Sequence, residues 1–145
     1  MAADSIRIST DPMEMDVPLI HWFLSEHSKW ARGISLELVK KSIGNSLCFG
    51  GFLGAQQVAF ARVITDRATF AYLGDVFVLP EYRSRGYSKV LMAAVMAHPE
   101  LQGLRRFTLV TLDAHGLYAQ FGFAAPSRPE RMMERYVPDI YAKSE

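Results

Sequence analysis

The chain has 145 residues, half of them apolar, with 16 basic and 15 acidic side chains and a formal net charge of +1. That is enough for one domain with a real core, read over residues 1–145 with no composition shift to mark a linker. Near-zero charge gives no electrostatic reason to bind nucleic acid, and no apolar run approaches the eighteen or so residues of a membrane span. The start, Met1-Ala2-Ala3-Asp4-Ser5, lacks the basic and apolar regions of a secretory signal. Cys48 is the single cysteine and has no internal disulfide partner, which fits the reducing cytoplasm.

Ile6 to Ser9 alternates and predicts a first strand. A helix follows, capped by Asp16, with Pro18 where a missing N–H is harmless and Leu19, Ile20, Phe23 and Leu24 at helical spacing. Lys29 to Gly33 is a connector. Ser35 caps a second helix that ends near Gly44. Leu47–Leu53 and Val58–Ile64 read as a hairpin around Gly54 to Gln57, and Thr69–Leu79 as a long strand after an Asp66-Arg67 turn. Ser88–His98 reads as a helix stopped by Pro99. Arg106–Thr111 is the next strand, Gly116–Phe121 a short helix, and Met132–Val137 a final strand after the loop Pro126 to Pro129.

Between the long strand and the third helix lies Arg83-Ser84-Arg85-Gly86-Tyr87-Ser88. A strand that breaks into a small-residue loop and opens a helix makes an anion site: the amides of the first helical turn have no intrahelical acceptor and the helix dipole favours negative charge there. Arg83 and Arg85 add charged donors, and Gly86 allows close approach of the backbone. Neither the P-loop pattern nor the dinucleotide fingerprint occurs.

What the loop fits is R-x-x-G-x-[GA], with Ser88 at the last place. Downstream, Ala114-His115-Gly116-Leu117-Tyr118-Ala119-Gln120-Phe121-Gly122-Phe123 fits A-x-x-L-Y-x-x-x-G-F. In this order, about thirty residues apart, the two blocks resemble those of the GNAT N-acetyltransferases. The resemblance covers nearly the whole chain, from about Ile6 to Val137. It implies an α/β (α+β) fold with a mixed, mostly antiparallel sheet, flanked by helices, whose fourth and fifth strands run parallel and splay apart. It also implies acetyl-CoA as acetyl donor. Its pantetheine arm would pair with the backbone of Phe77 and Val78, and its diphosphate would lie on the loop from Arg83 through Ser84, Arg85, Gly86 and Tyr87 to Ser88. Thr111 stands where many relatives have a cofactor-binding asparagine, and implies a single hydroxyl contact.

The resemblance assigns Tyr118 as the general acid for the departing thiolate; an ordinary space-filling tyrosine is the plain alternative. Some relatives carry a Glu-Asp pair in the fourth strand where this chain has Gly74-Asp75. Asp75, a carboxylate among apolar neighbours, is therefore read as a base acting through water, as an anchor for the substrate ammonium, or as a bridge to Arg62 or Arg106. Trp30 and Arg32 in the connector wall the acceptor site by resemblance, where they suit an acceptor with an apolar or acidic part; a packed tryptophan beside a surface arginine explains the same letters. Asp113 and His115 are further candidates to contact substrate or relay a proton, against simple solvation. His21 and His27 lack metal-ligand spacing, so no metal is expected.

The expected activity is transfer of an acetyl group to a primary amine of a small-molecule or peptide acceptor by direct attack in a ternary complex. A non-catalytic acyl-CoA-binding module is the alternative. The acceptor's identity and the oligomeric state are not written in the chain, and a homodimer is compatible with it.

Overall fold

The computed structural model describes residues 5–142, so the reading of Met1 to Asp4 lies outside the described residues. Strand β1 (Arg7–Ser9) leads into helices α1 (Val17–Glu26) and α2 (Leu36–Gly44). Both start on the expected side-chain caps: an Asp16 carboxylate oxygen accepts from the Leu19 amide (3.1 Å), and Ser35 Oγ from the Leu38 amide (3.2 Å). Each cap satisfies one donor that the helix cannot. Gly44 is the last residue of α2 and not a left-handed cap; Asn45, at φ −110°, follows it.

Strands β2 (Leu47–Leu53) and β3 (Gln56–Thr65) form a hairpin closed by Gly54 and Ala55 alone, two residues tighter than expected, with Gly54 at φ 60°. Asp66 makes the following turn. Its carboxylate accepts from the amides of Ala68, Thr69 and Phe70 and from the Thr69 hydroxyl, which holds it well below the usual carboxylate range. β4 (Phe70–Val78), α3 (Tyr87–Ala97), β5 (Arg106–Leu109) and α4 (His115–Ala119) complete the order.

The sheet runs β1-β2-β3-β4-β5, antiparallel except for the parallel β4–β5 pair. Helices cover both faces. Cys48 and Arg62 are register partners, as are Phe60 and Phe77, and this face meets α1 and α2: the Phe23 ring stacks on Phe77 at 4.1 Å and the Cys48 thiol reaches the Ile43 carbonyl. Phe49 and Ala61 are partners on the other face, where Phe49 meets His98 at the end of α3 edge-on. Every residue of β2 from Leu47 to Phe52 is accordingly buried. Buried Gln57 is satisfied, accepting from the Asp16 amide and donating to the Ala59 carbonyl, so it ties the start of α1 to the sheet.

One expectation fails outright. Met132–Val137 is not a strand: among the described residues no pairing engages it, and it follows a short turn over Pro129–Arg131. A strand exists only where a partner edge is aligned with it, and among the described residues none is.

Candidate active site

Two departures from regular pairing in β4 shape the site. The first is a bulge. Arg62 pairs with Gly74 and Phe60 with Phe77, so Asp75 and Val76 together oppose Ala61. Asp75 takes the left-handed φ of 54° there, a conformation that aspartate tolerates better than most residues. The second is early separation from β5. Pairing runs from Phe70–Arg106 to Leu73–Leu109 and stops, while β4 continues to Val78. β5 ends two residues short of the expected Thr111. The edge of β4 from Gly74 to Val78 thus faces no strand on the β5 side. This is the expected splay, and an amide-bearing chain can satisfy such an edge as a strand would.

Below the splay, Leu79 leads through a turn at Pro80–Tyr82 to the phosphate-type loop. Ser84 (φ 65°) and Gly86 (φ 80°) are both left-handed, and Gly86 precedes α3 without a side-chain cap. The first helical bond of α3 is from the Val90 amide to the Gly86 carbonyl, so the helix ladder does not use the amides of Ser88 and Lys89. Space beside Gly86 is open: nothing lies within 4 Å of where a Cβ would stand. A helix of 11 residues with this open, glycine-led start fits a diphosphate. The arginines also shape the loop. Arg83 Nε donates to the Val78 carbonyl (2.9 Å), and Arg85 lies over the Tyr82 ring.

Asp75 and Trp30 are brought together. Trp30 Nε1 donates to one Asp75 carboxylate oxygen (2.7 Å) and Arg62 Nε to the other (2.8 Å); Arg62 also donates to Ser46 Oγ. The Arg62–Asp75 bridge, one of the alternatives read from sequence, is therefore present and mostly buried. Ser46 was missed, because a serine 16 positions from its partner Arg62, on a different element, leaves no local signal. Arg32 is exposed beside Trp30. At Gly33 (φ 87°) the Tyr141 carbonyl comes within 2.6 Å of the place a Cβ would fill, so the end of the described chain packs on the connector.

Tyr118 is buried on α4, edge-on to Phe123, and burial raises its phenol above the ordinary tyrosine range. Gly122 at φ 91° closes the helix: the Gly122 amide donates to the Ala119 carbonyl and the Phe123 amide to the Tyr118 carbonyl. Tyr118, Thr111 and His115 line a cleft of about 970 Å³ that follows β5 and is bounded beyond by residues from Phe123 to Met132. The cleft lies outside β5, so it adjoins the splay and does not coincide with it. Thr111 Oγ accepts from the Ala114 amide (3.0 Å), which leaves its hydroxyl proton to donate. Asp113 is exposed, and so is His115 apart from its place at the cleft. Cys48 is buried and its thiol is pushed up to about 12 by desolvation, which makes it a poor nucleophile. Among the described residues no group of three His, Cys, Asp or Glu side chains could hold a metal, and no helix is long and apolar enough to cross a membrane.

Comparison with known proteins agrees with this geometry. The profile of the acetyltransferase (GNAT) family matches residues 17–123. A crystal structure of a GNAT-family acetyltransferase from Xanthomonas campestris pv. campestris is 63% identical, with a TM-score of 0.94 over 95% of this chain and 97% of that one. A Gibberella zeae protein named as an acetyltransferase is 30% identical over 135 residues, 78% of this chain and 75% of its own length. AAC(6')-Iy, solved with the bisubstrate analogue CoA-S-monomethyl-acetylneamine, shares the fold at 19% identity, with a TM-score of 0.59 over 91% of this chain and 98% of that one. The chain belongs to the acetyltransferase (GNAT) family and is an acyltransferase that uses acetyl-CoA.

Proposed function

We propose that the protein transfers the acetyl group of acetyl-CoA to a primary amine of a small-molecule or peptide acceptor, the amine attacking directly while both substrates are bound. The observation that carries this reading is the loss of β4–β5 pairing beyond Leu73 and Leu109, with a buried tyrosine on the helix after β5. Bound acetyl-CoA supplies an activated carbonyl and a thiolate leaving group. The Val78 amide orients the donor's arm; the Val78 carbonyl is already shared with Arg83, and Phe77, paired with Phe60, directs its own backbone toward β3 and lends only its place in the strand. The loop from Arg83 to Ser88, with Arg85, Ser84, Gly86 and Tyr87 between, holds the diphosphate through amides and charge. Thr111 adds one hydroxyl donor. Binding energy from the distant phosphates fixes the reacting carbonyl, so much of the acceleration comes from orientation.

Tyr118 gives its phenolic proton to the departing sulfur. Burial keeps that proton in place at neutral pH, the state a general acid needs. Asp75 is assigned a positioning role and not that of a free base, since both its oxygens accept from Trp30 and Arg62. An amine that arrives neutral, or sheds its proton to water, needs no dedicated carboxylate. Trp30, held by Asp75, and Arg32 wall the acceptor side, with His115 in the opposite cleft and Asp113 exposed in the loop before it. The lone Cys48 suits a reducing compartment, and we assign the activity to the cytoplasm.

The test is release of CoA thiol from acetyl-CoA against a panel of primary amines. Release that depends on an amine, with the acetyl group recovered on nitrogen by mass spectrometry, is expected. Acetyl groups recovered on oxygen, or no amine dependence across the panel, would overturn the reading.

A further inference from the structure

Gly74 is the bare position on β4, and one side chain leans over it. Gly74 is the register partner of Arg62, while Tyr72, two residues earlier and so on the same face, is the partner of Ile64. A Cβ at Gly74 would come within 3.2 Å of Tyr72 Cε2 and 3.8 Å of Tyr72 Cδ2, with no other described atom beyond its chain neighbours inside 4 Å. The ring atom nearer the hydroxyl is the closer of the two, so the ring reaches along β4 toward the bulge at Asp75. Its hydroxyl makes no hydrogen bond to a described residue. Pairing with β5 ends one residue after Tyr72, at Leu73, which puts this polar atom at the mouth of the splay.

The clamp on Asp75 fixes the surroundings from the other side. Asp75 accepts from Trp30 Nε1 and Arg62 Nε, so the indole is held in one orientation while Trp30 as a whole stays 52% exposed. Ile64 is 42% exposed on the face that it shares with Tyr72. Half-open aromatic and aliphatic walls around one unpaired hydroxyl suit a ligand that is apolar except at one point. Desolvation above all, then the Asp75 carboxylate and Glu134, raise the Tyr72 phenol against the opposing charge of Arg62, so the hydroxyl keeps its proton at neutral pH and is not a base. Carboxylates that disfavour a phenolate favour a cation at the same place. A neutral hydroxyl oxygen can accept from that cation, and aromatic faces attract an ammonium.

We propose that Tyr72 binds the acceptor amine, its hydroxyl oxygen accepting from the ammonium while its ring, Trp30 and Ile64 hold an apolar carbon skeleton. The acceptor class is an alkyl or arylalkyl primary amine, not a polyhydroxylated amino sugar, whose hydroxyls would lose their water against these walls without gaining partners. Gly74 takes part by omission, since a side chain there would push the Tyr72 ring aside. The proton that the ammonium sheds before attack goes to water, because Tyr72 already holds its own. This assignment rests on the proposed transfer to an amine.

Tyr72→Phe keeps the ring over Gly74 and removes only the hydroxyl, so circular dichroism should not change. At saturating acetyl-CoA the KM for phenethylamine should rise about 10-fold, the loss of one hydrogen bond to a charged group, with kcat and the KM for acetyl-CoA unchanged, as expected when binding common to ground and transition states is removed. Phenethylamine should exceed glucosamine in kcat/KM, and Ile64→Asn should narrow the gap. An unchanged KM in Tyr72→Phe, a fall confined to kcat, or no preference for phenethylamine would overturn the proposal. Calorimetry on the CoA-loaded protein separates it from the acetyl-transfer reading: phenethylamine should bind the wild type about 10-fold more tightly than Tyr72→Phe, whether or not turnover occurs. Equal affinities, or no amine binding to either, sink the assignment of Tyr72, whereas the expected binding without amine-dependent thiol release sinks only the transfer.

Discussion

Replacing Asp75 by alanine and by glycine tests the bulge and its ion pair together. Either change leaves Arg62 without its carboxylate in a setting where the two side chains are 18% and 11% exposed. Breaking a buried pair in this way costs about 3–5 kcal/mol; residual exposure and the surviving bond from Arg62 to Ser46 bring the expected loss to about 2–4 kcal/mol. The two variants then part company at the backbone. Alanine must hold φ near 54°, a strain of about 1–2 kcal/mol, whereas glycine takes that conformation freely. Glycine loses about 0.5–1 kcal/mol through the greater entropy of its unfolded chain. The glycine variant should therefore be the more stable of the two by about 0.5–1 kcal/mol, or some 2–4 °C in melting temperature. At an ordinary strand position the order is the reverse. Urea denaturation with matched m-values measures the difference, and an alanine variant equal to or more stable than the glycine variant would refute the assignment of strain to this position.

Tyr118→Phe should lower kcat about 100-fold while changing stability by less than about 1 kcal/mol, because the ring stays buried and the hydroxyl makes no hydrogen bond to a described residue; stopped-flow thiol release and thermal melting check the two halves. Gly86→Val should raise KM for acetyl-CoA more than it lowers kcat, since the loop's φ of 80° becomes strained at about 1–2 kcal/mol and a side chain enters the open space beside it; steady-state kinetics at saturating amine tests it. Cys48 contributes to alkaline unfolding. Its folded thiol is raised to about 12 from an ordinary 9.0, so its contribution is intact below pH 9 and is lost as pH rises through that window at up to ~1.4 kcal/mol per pH unit. Urea midpoints for Cys48→Ala should fall less steeply over the same range than those of the wild type.

Most of the core fold was legible because its signals are local. Asp16 and Ser35 announced the starts of two helices, and both caps are made; the β2 to β4 meander followed from alternation and from turns at Gly54 and Asp66. The loop at Gly86 and the helix at Tyr118 were readable as motifs. What could not be read depends on pairing between distant segments. A bulge at Asp75 is a slip of register against β3 and has no signature in Tyr72-Leu73-Gly74-Asp75-Val76 itself. The clamp on Asp75 needs Trp30 and Ser46 folded onto the same spot, from separate elements. Met132–Val137 shows the converse failure, since the local residues can suggest a strand but say nothing of where a matching edge lies. The two blocks open α3 and form α4, while Trp30 and Asp75 meet only through contacts across the chain.

The interrupted ladder between β4 and β5 means that part of this fold's own hydrogen bonding is left for a guest to complete. With the donor's arm paired there as proposed, a loaded chain has hydrogen bonds that the empty one lacks, so donor occupancy would stabilise the folded state. A donor-starved molecule would be the softer one, and its turnover in the cell would follow supply of the very metabolite it consumes.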